Sequence, residues 1–427
     1  MSTIRILLAI AAQYGWKVHQ MDVKSAFLNG ELQEEVYMTQ PPGFKVAGSE
    51  PKVCRLQKAI YGLKQAPRAW YIKIDQYLVN QGFQRSPSDS NLYIKHSGND
   101  ILFLVVYVDD LIITGSSELL ISDIKQDLCR TFDMTDLGLL HYCLGIEVWQ
   151  TDNSIFLSQS KYARNLLDRF RMQDCKPAST PMETGLKLSA QSDSPPVDET
   201  LFRQLVGSLI YLTTTRPDLS FAVSYISRFM SNPKTDHWIA AKRVLRYVNG
   251  TSDYGLLYTR STTPQLSGFT DSDWAGSVDD RKSTSGYVFS IGSAAVTWTS
   301  KKQQAHALSS TEAEYRGAVK AACEAVWLRQ MLADMHISQA GPTSLFSDNQ
   351  AVLKLAKNPV FHERTKHVEL HCHYIRQLVE DGSIKLLYVP TSEQPADIFT
   401  KPLGPDKFVK FRESIGVVNR LSIMGGY

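Results

Sequence analysis

Apolar positions along this chain recur with a helical period in some stretches and with strand-like alternation in others. Ile6, Leu7 and Ile10 fall at helical spacing and predict an amphipathic first helix. A strand follows in WKVHQMDV, with Val18, Gln20 and Asp22 on one face and Lys17, His19 and Met21 on the other. Pro41-Pro42-Gly43 breaks the chain. Pro67 suits the first turn of a helix on which Trp70, Ile74 and Tyr77/Leu78 recur. The stretch NLYIKHSGNDILFLVVYVDDLIITG reads as two hairpins, the first turning at Ser97–Asp100, the second with Asp109 and Asp110 at its tip. A helix around Leu119–Phe132 and a hairpin turning at Thr151–Ser154 come next.

Residues 183–200, polar and rich in Pro and Ser, show no periodic pattern and read as a linker. Helices dominate from Leu201 to Asn249. An α/β unit begins near Gln265, with strands at QLSGFTDSDW, TSGYVFSIG and AAVTWTSK and a long helix from Ser310 to Met335. A strand at TSLFSD, further helices and a strand at IKLLYVP complete it. There is no internal repeat.

Composition adds bounds. A chain of 427 residues has room for two or three domains, and 43% apolar with 21% charged residues is the balance of an ordinary soluble protein. A net charge of +3 excludes neither nucleic acid nor small-molecule partners. Six scattered cysteines without a CxxC pair predict reduced thiols in an intracellular protein. No apolar run has the length of a membrane span.

The chemistry concentrates in acids. Asp109 and Asp110 stand side by side in an apolar sequence, where unpaired charges are costly to desolvate, so a positive partner is expected there. Asp22 closes one strand and the pair caps a hairpin. If the strands are neighbours, the three carboxylates converge without help from His or Cys, which suits a hard cation such as Mg²⁺. An acidic hairpin tip taken alone is more often a solvated turn.

Three segments, QMDVKSAFLNGELQEEVYMTQPPGF, YGLKQAPRAWY and YVDDLIITG, in this order and spacing, closely resemble the reverse transcriptase of copia-type long-terminal-repeat retrotransposons. The resemblance implies that Asp22, Asp109 and Asp110 are the metal-holding polymerase carboxylates. It makes Phe27 the aromatic gate that collides with a 2′-hydroxyl. Gln65 matches the glutamine near template and incoming nucleotide, and Lys64 and Arg68 flank it within reach of phosphates. Further on, TDSDWAG, SSTEAEY, SDNQ and PADIFTKPL resemble the family's ribonuclease H, implying Asp271, Glu312, Asp348 and Asp397 as its metal-holding acids. Asp273 shares a strand face with Asp271, and Glu314 lies near Glu312; the family pattern favours Asp271 and Glu312. The loop histidine of many ribonucleases H has no counterpart in VPTSEQPADIF, and Glu393 is one group that could take its place.

The implied fold is an α+β right-hand polymerase palm and thumb with incomplete fingers, then a helical connection, then an α/β ribonuclease H-like domain. The expected boundaries are 1–182 for palm and thumb, 183–200 for the linker, 201–264 for the connection, 265–403 for the ribonuclease H-like domain and 404–427 for a tail. The implied function is DNA synthesis on RNA and degradation of RNA in RNA–DNA hybrids by two-metal catalysis with Mg²⁺ or Mn²⁺. The implied partners are an RNA template, a DNA primer, the hybrid and dNTPs, with an intracellular location in cytoplasmic particles or the nucleus. About twenty residues precede Asp22, room for one helix. The expectation is therefore a C-terminal piece of a polyprotein lacking its fingers, with the hydrolase the more robust activity. A non-catalytic nucleic-acid-binding remnant of a retroelement is the rival reading.

Two other patterns carry less. His362, His367, His371, Cys372 and His373 invite a zinc reading, but their spacing is not HExxH and no finger-like ligand pair follows. Lys242, Arg243 and Arg246 share a helix face, either solvated or tracking a duplex.

Overall fold

In a computed structural model of the chain, the first predicted helix forms as α1 (Ser2–Tyr14) and stops at Gly15, whose φ of 71° is left-handed. The structure describes residues 1–45, 48, 52–260, 265–357 and 366–421, the side chains of 356–357 and 366–372 aside. Two units emerge: a palm unit, Trp16–Leu140, and a split unit made of Met1–Gly15 with His141–Tyr427.

The palm unit contains β1 (Val18–Val23), a small separate pair β2 (Tyr37–Thr39) and β3 (Val53–Arg55), α2 (Ala66–Asn80), β4 (Gln84–Arg85) and β5 (Leu92–Ser97). It continues through β6 (Asp100–Tyr107), β7 (Asp110–Gly115), α3 (Glu118–Thr131) and β8 (Met134–Leu139). Its six-stranded antiparallel sheet runs β4-β5-β6-β7-β1-β8. Met21, Val23, Leu102, Leu104, Val106, Leu111 and Ile113 pack against Trp70, Ile74 and Leu78 of α2 and Ile121, Ile124 and Leu128 of α3. This is the half-buried pattern that period-two alternation encodes. A Cβ at Gly30 would lie 2.7 Å from the backbone of Ala69 and Trp70, so only glycine lets the turn after β1 lie on α2.

The split unit runs through β9 (Tyr142–Cys143), β10 (Ile146–Gln150), β11 (Ser154–Ser158), α4 (Ser160–Arg169), α5 (Glu199–Leu212), α6 (Ser220–Ile226), α7 (Thr235–Asn249) and β12 (Tyr254–Thr259). Then come β13 (Leu266–Ser272), β14 (Thr284–Ile291), β15 (Ala294–Lys302), α8 (Ser310–Asp334), β16 (Thr343–Ser347) and α9 (Gln350–Lys357). The last elements are α10 (Lys366–Glu380), β17 (Ile384–Tyr388), α11 (Pro405–Ser414) and β18 (Val417–Asn419). One sheet is β18-β12-β11-β10-β9; the other is β15-β14-β13-β16-β17, antiparallel across β13–β15 and parallel from β13 through β16 to β17. That mixed sheet with α8–α10 is the anticipated ribonuclease H-like α/β arrangement, and the palm unit is the anticipated α+β polymerase sheet.

The units divide at Leu140 rather than in the polar stretch. Residues 141–182 and 404–421 share one sheet, because β11 and β18 both pair with β12. The polar stretch before Glu199 has no helix or strand, yet it is pinned: Tyr225 accepts from Leu188 N at 3.0 Å, Asp279 from Ala190 N at 3.0 Å, and Asp236 from Ser194 Oγ at 2.9 Å.

Helix α1 differs most from its sequence pattern. Every residue from Thr3 to Gln13 is buried, Arg5 included at 7% exposure. Arg5 donates Nε to Val296 O and Nη1 to Thr214 O, both at 2.8 Å, and its guanidinium sits 4.0 Å from the Trp298 ring centre. Burial draws its pKa down to about 10, still charged at neutral pH. A helix with one apolar stripe would cover one surface. This one touches β11, β12, β14 and β15, and Arg5 remains inside because its donors are satisfied.

Candidate functional site

The palm acids are placed by the hairpin β6–β7 and its neighbour β1. Tyr107 pairs with Asp110 across the hairpin, and Val108 turns it with a φ of 57°. Trp70 Nε1 on α2 donates to Val108 O at 2.6 Å and fixes the turn to the core helix. Asp22 is the cross-strand partner of Asp110, so the two project from one face, while Val23 N donates to Asp109 O at 2.9 Å. Gln20, two residues before Asp22 and only 6% exposed, donates Nε2 to Asp110 Oδ1 at 2.8 Å. The sequence reading passed over Gln20; its signal was an amide at an inward position on the face of Asp22.

Phe27 lies in the 3-10 turn Ala26–Asn29, half-buried, its ring centre 4.5 Å from that of Tyr61. Gln65 is the residue before α2, and with Arg68 it lines a cavity of about 320 Å³ shared with Glu31, Glu34 and Lys73. Lys64 and Arg68 are exposed.

The second acid group has tighter geometry. Among the described residues, Asp271, Glu314 and Asp348 bring one carboxylate oxygen each within 4.8 Å of the others. Asp271 lies on β13, Asp348 follows the end of β16, and the parallel pairing of those strands sets them side by side. Glu314 reaches them because α8 approaches β13 closely. A Cβ at Gly317, three residues along α8, would stand 2.3 Å from Ser272 Oγ.

Glu312, which the family pattern favours, does not join this group; Glu314, two residues further along α8, does. Ser309 Oγ caps α8 by accepting from Glu312 N at 3.1 Å; Glu312 Oε2 accepts from Leu308 N at 2.8 Å, and its Oε1 pairs with Arg316 Nη2 at 2.7 Å. Glu312 thus serves the helix start. Asp273 accepts from Thr284 N and holds the loop after β13, while Asp271 faces the cluster.

Burial, then the charges of Asp271 and Asp348, push the Glu314 carboxyl up to about 10, with Lys401 opposing. Burial raises Asp271 to about 6, with Asp397 adding to the rise and Lys401 and Thr400 working against it. Glu314 is 8% exposed, and its Oε2 is buried with no hydrogen-bond partner. Three carboxylates around an unpartnered buried oxygen fit a hard divalent cation, which prefers oxygen ligands.

Asp397 is fully buried in the 3-10 turn Pro395–Phe399 and meets two lysines rather than the cluster oxygens. Lys401 Nζ is 2.8 Å from its Oδ1 and Lys407 Nζ 2.6 Å from its Oδ2. Glu393 pairs with Lys410, and Thr391 Oγ1 donates to Asp348 Oδ2 at 2.7 Å. Arg243 and Arg246 do not form an open basic face: Arg243 binds Glu183 at 2.6 Å, and Arg246 Nε donates to Lys176 O at 2.8 Å. The histidine-rich pattern from His362 to Cys372 lies outside the described side chains.

Residues 1–184 match the family described as reverse transcriptase (RNA-dependent DNA polymerase). The retrovirus-related Pol polyprotein from transposon RE2 of Arabidopsis thaliana is 44% identical over 425 residues, all of this chain and 29% of that protein. The putative transposon Ty5-1 protein of Saccharomyces cerevisiae is 35% identical over 298 residues, 69% of this chain and 97% of that protein. A foamy viral protease-reverse transcriptase, solved in complex with an RNA/DNA hybrid, overlays with a TM-score of 0.48 at 13% identity, across 88% of this chain and 44% of that one. The class is that of the reverse transcriptases. Within it, the chain belongs to the copia-type retrovirus-related Pol polyproteins of transposons. It spans 29% of the length of the RE2 polyprotein.

Proposed function

We propose that the palm unit synthesises DNA on an RNA template and that the split unit cleaves the RNA strand of RNA–DNA hybrids. The observation that carries the second activity is the convergence of Asp271, Glu314 and Asp348 around a buried, unpartnered oxygen. These three residues would hold Mg²⁺ or Mn²⁺, which supplies Lewis acidity and lowers the pKa of bound water. The protein's own groups prepare the place. Thr400 Oγ1 donates to Asp271 and fixes its carboxylate, Thr391 does the same for Asp348, and burial excludes bulk water from Glu314.

In the palm, Asp22, Asp109 and Asp110 would hold the same kind of ion, with Gln20 orienting Asp110. Phe27, braced on Tyr61, would reject a 2′-hydroxyl on the incoming nucleotide. Gln65, Lys64 and Arg68 would meet template and phosphates. The partners in this reading are an RNA template, a DNA primer, RNA–DNA hybrid and dNTPs, met inside the cell.

Labelled hybrid with Mg²⁺ tests the hydrolase. Glu314→Gln is expected to lower cleavage by more than about 100-fold, beyond the range for losing a supporting group, while Glu312→Gln stays within about threefold. Equal cleavage by wild type and Glu314→Gln would overturn the assignment. Primer extension that survives Asp110→Asn would overturn the palm assignment. Salt-sensitive hybrid binding without divalent-dependent turnover would favour the non-catalytic remnant.

A further inference from the structure

The turn that carries Asp397 is locked to the strand that carries Asp271. Gln394, fully buried, donates Nε2 to Thr270 O at 3.0 Å, and a Cβ at Gly286 would lie 2.5 Å from Phe399 Cβ. Lys401 follows one turn later, its N donating to Asp397 O at 3.2 Å. Its ammonium lies 2.8 Å from Asp397 Oδ1 and 3.7 Å from Asp271 Oδ2, so it bridges the two acids. The other oxygen of Asp397 is held by Lys407 of α11, whose own place is fixed by the buried Phe408, Phe411 and Arg412.

We propose that Lys401 is a built-in cation of the acid site, standing between Asp271 and Asp397 where a second divalent ion would otherwise sit. The site then takes one divalent ion, on Asp271, Glu314 and Asp348, and Asp397 serves as the anchor of two lysines. This rests on the reading that the cluster holds a divalent cation. Three features support it. Both oxygens of Asp397 have an ammonium at ion-pair distance, Oδ2 by a hydrogen bond from Lys407 and Oδ1, which makes no hydrogen bond, by the Lys401 charge 2.8 Å away. With all four carboxylates ionised, as ligands of a bound cation, Asp271, Glu314, Asp348 and Asp397 against Lys401 and Lys407 leave a formal charge of minus two, the charge matched by one divalent ion. A second dication beside a fixed ammonium would meet strong like-charge repulsion at low effective dielectric.

The test is a titration of the full chain with Mn²⁺ alone, bound ions counted by electron paramagnetic resonance and folding checked by circular dichroism. Counts are compared with wild type, so ions on the palm acids cancel. Lys401→Met is expected to gain one bound ion, and Lys401→Arg, which keeps the charge, to gain none. Asp397→Asn is expected to keep the wild-type count, with a Kd changed by less than about threefold, well under 1 kcal/mol. A folded Lys401→Met with an unchanged count overturns the proposal, as does loss of an ion in Asp397→Asn. If Lys401→Met does not fold, Asp397→Asn decides. Glu314→Gln is expected to lose one ion; if it does not, the metal reading itself fails, separately from the role of Lys401.

Discussion

Glu312 and Glu314 show how two residues on one helix acquire opposite fates. Both carry the same carboxylate, and the family pattern favoured Glu312. The local sequence held the contrary signal: Ser309-x-x-Glu312 has the pattern of a helix start, and there the glutamate turns back to accept from Leu308 N, just before the Ser309 cap. Glu314 carries its raised pKa as a stability term with a definite sign. Its ordinary value lies near 4.5 and its folded value near 10, so the native state holds the proton over a range where the unfolded chain has lost it. Stability is therefore fullest below the unfolded pKa and falls as pH rises towards 10; Asp271 contributes the same sign up to about 6. Glu314→Gln is expected to raise the melting temperature at pH 8 and to flatten its decline between pH 6 and 9, read by thermal unfolding at several pH values. Addition of Mn²⁺ is expected to stabilise wild type more than the variant, because an ion bound only by the native state shifts the equilibrium towards it.

At the scale of elements, the palm and the mixed sheet were readable because their apolar periods are strong: β5–β7, α2 and α8 fall where the pattern put them. The joins were not readable. β12 and β18 are short, and pairing across more than 150 residues leaves no local mark. What holds these joins together is a buried network. Arg216 makes two bonds to Asp218, Nε to Oδ1 at 2.9 Å and Nη2 to Oδ2 at 2.8 Å, and donates Nη1 to Thr251 O at 2.7 Å. Tyr247 donates to Asp218 at 2.8 Å, and Arg412 of α11 reaches Tyr247 at 3.3 Å. Burial would raise the Asp218 pKa, but Arg216 outweighs it and holds the carboxyl below its usual range. Breaking one partner of such a pair leaves a buried charge uncompensated. Asp218→Asn is expected to cost about 3–5 kcal/mol in urea unfolding. The loss should shrink at acid pH, where protonation of the wild-type carboxyl removes the same charge.

At the scale of the molecule, the acids that the motifs single out fall in both units, Asp22, Asp109 and Asp110 in the palm unit and Asp271, Glu312, Asp348 and Asp397 in the split unit. Three of the four acids assigned to the second site hold to different partners than the motif alone specifies: Glu312 serves the cap, Asp397 binds lysines, and Asp271 shares Lys401 with Asp397. Motifs fix which residues are near a site. They do not fix ion pairing, which depends on where α8 and α11 come to rest.

The division of the chain has a further consequence, for synthesis rather than for the finished fold. The palm unit is an insertion: the split unit opens with residues 1–15 and resumes only at His141. Arg5 finds its acceptor Val296 across a sequence separation of 291 residues. At translation rates of about 5–20 residues per second, α1 waits roughly 15–60 s for its site to be made, its apolar surface uncovered. The palm unit, contiguous in sequence, can complete its core in the meantime. Tryptic pulses during refolding are expected to find Arg5 protected late, together with Lys301 and Lys302 of β15, after the palm unit resists cleavage; simultaneous protection would contradict this order.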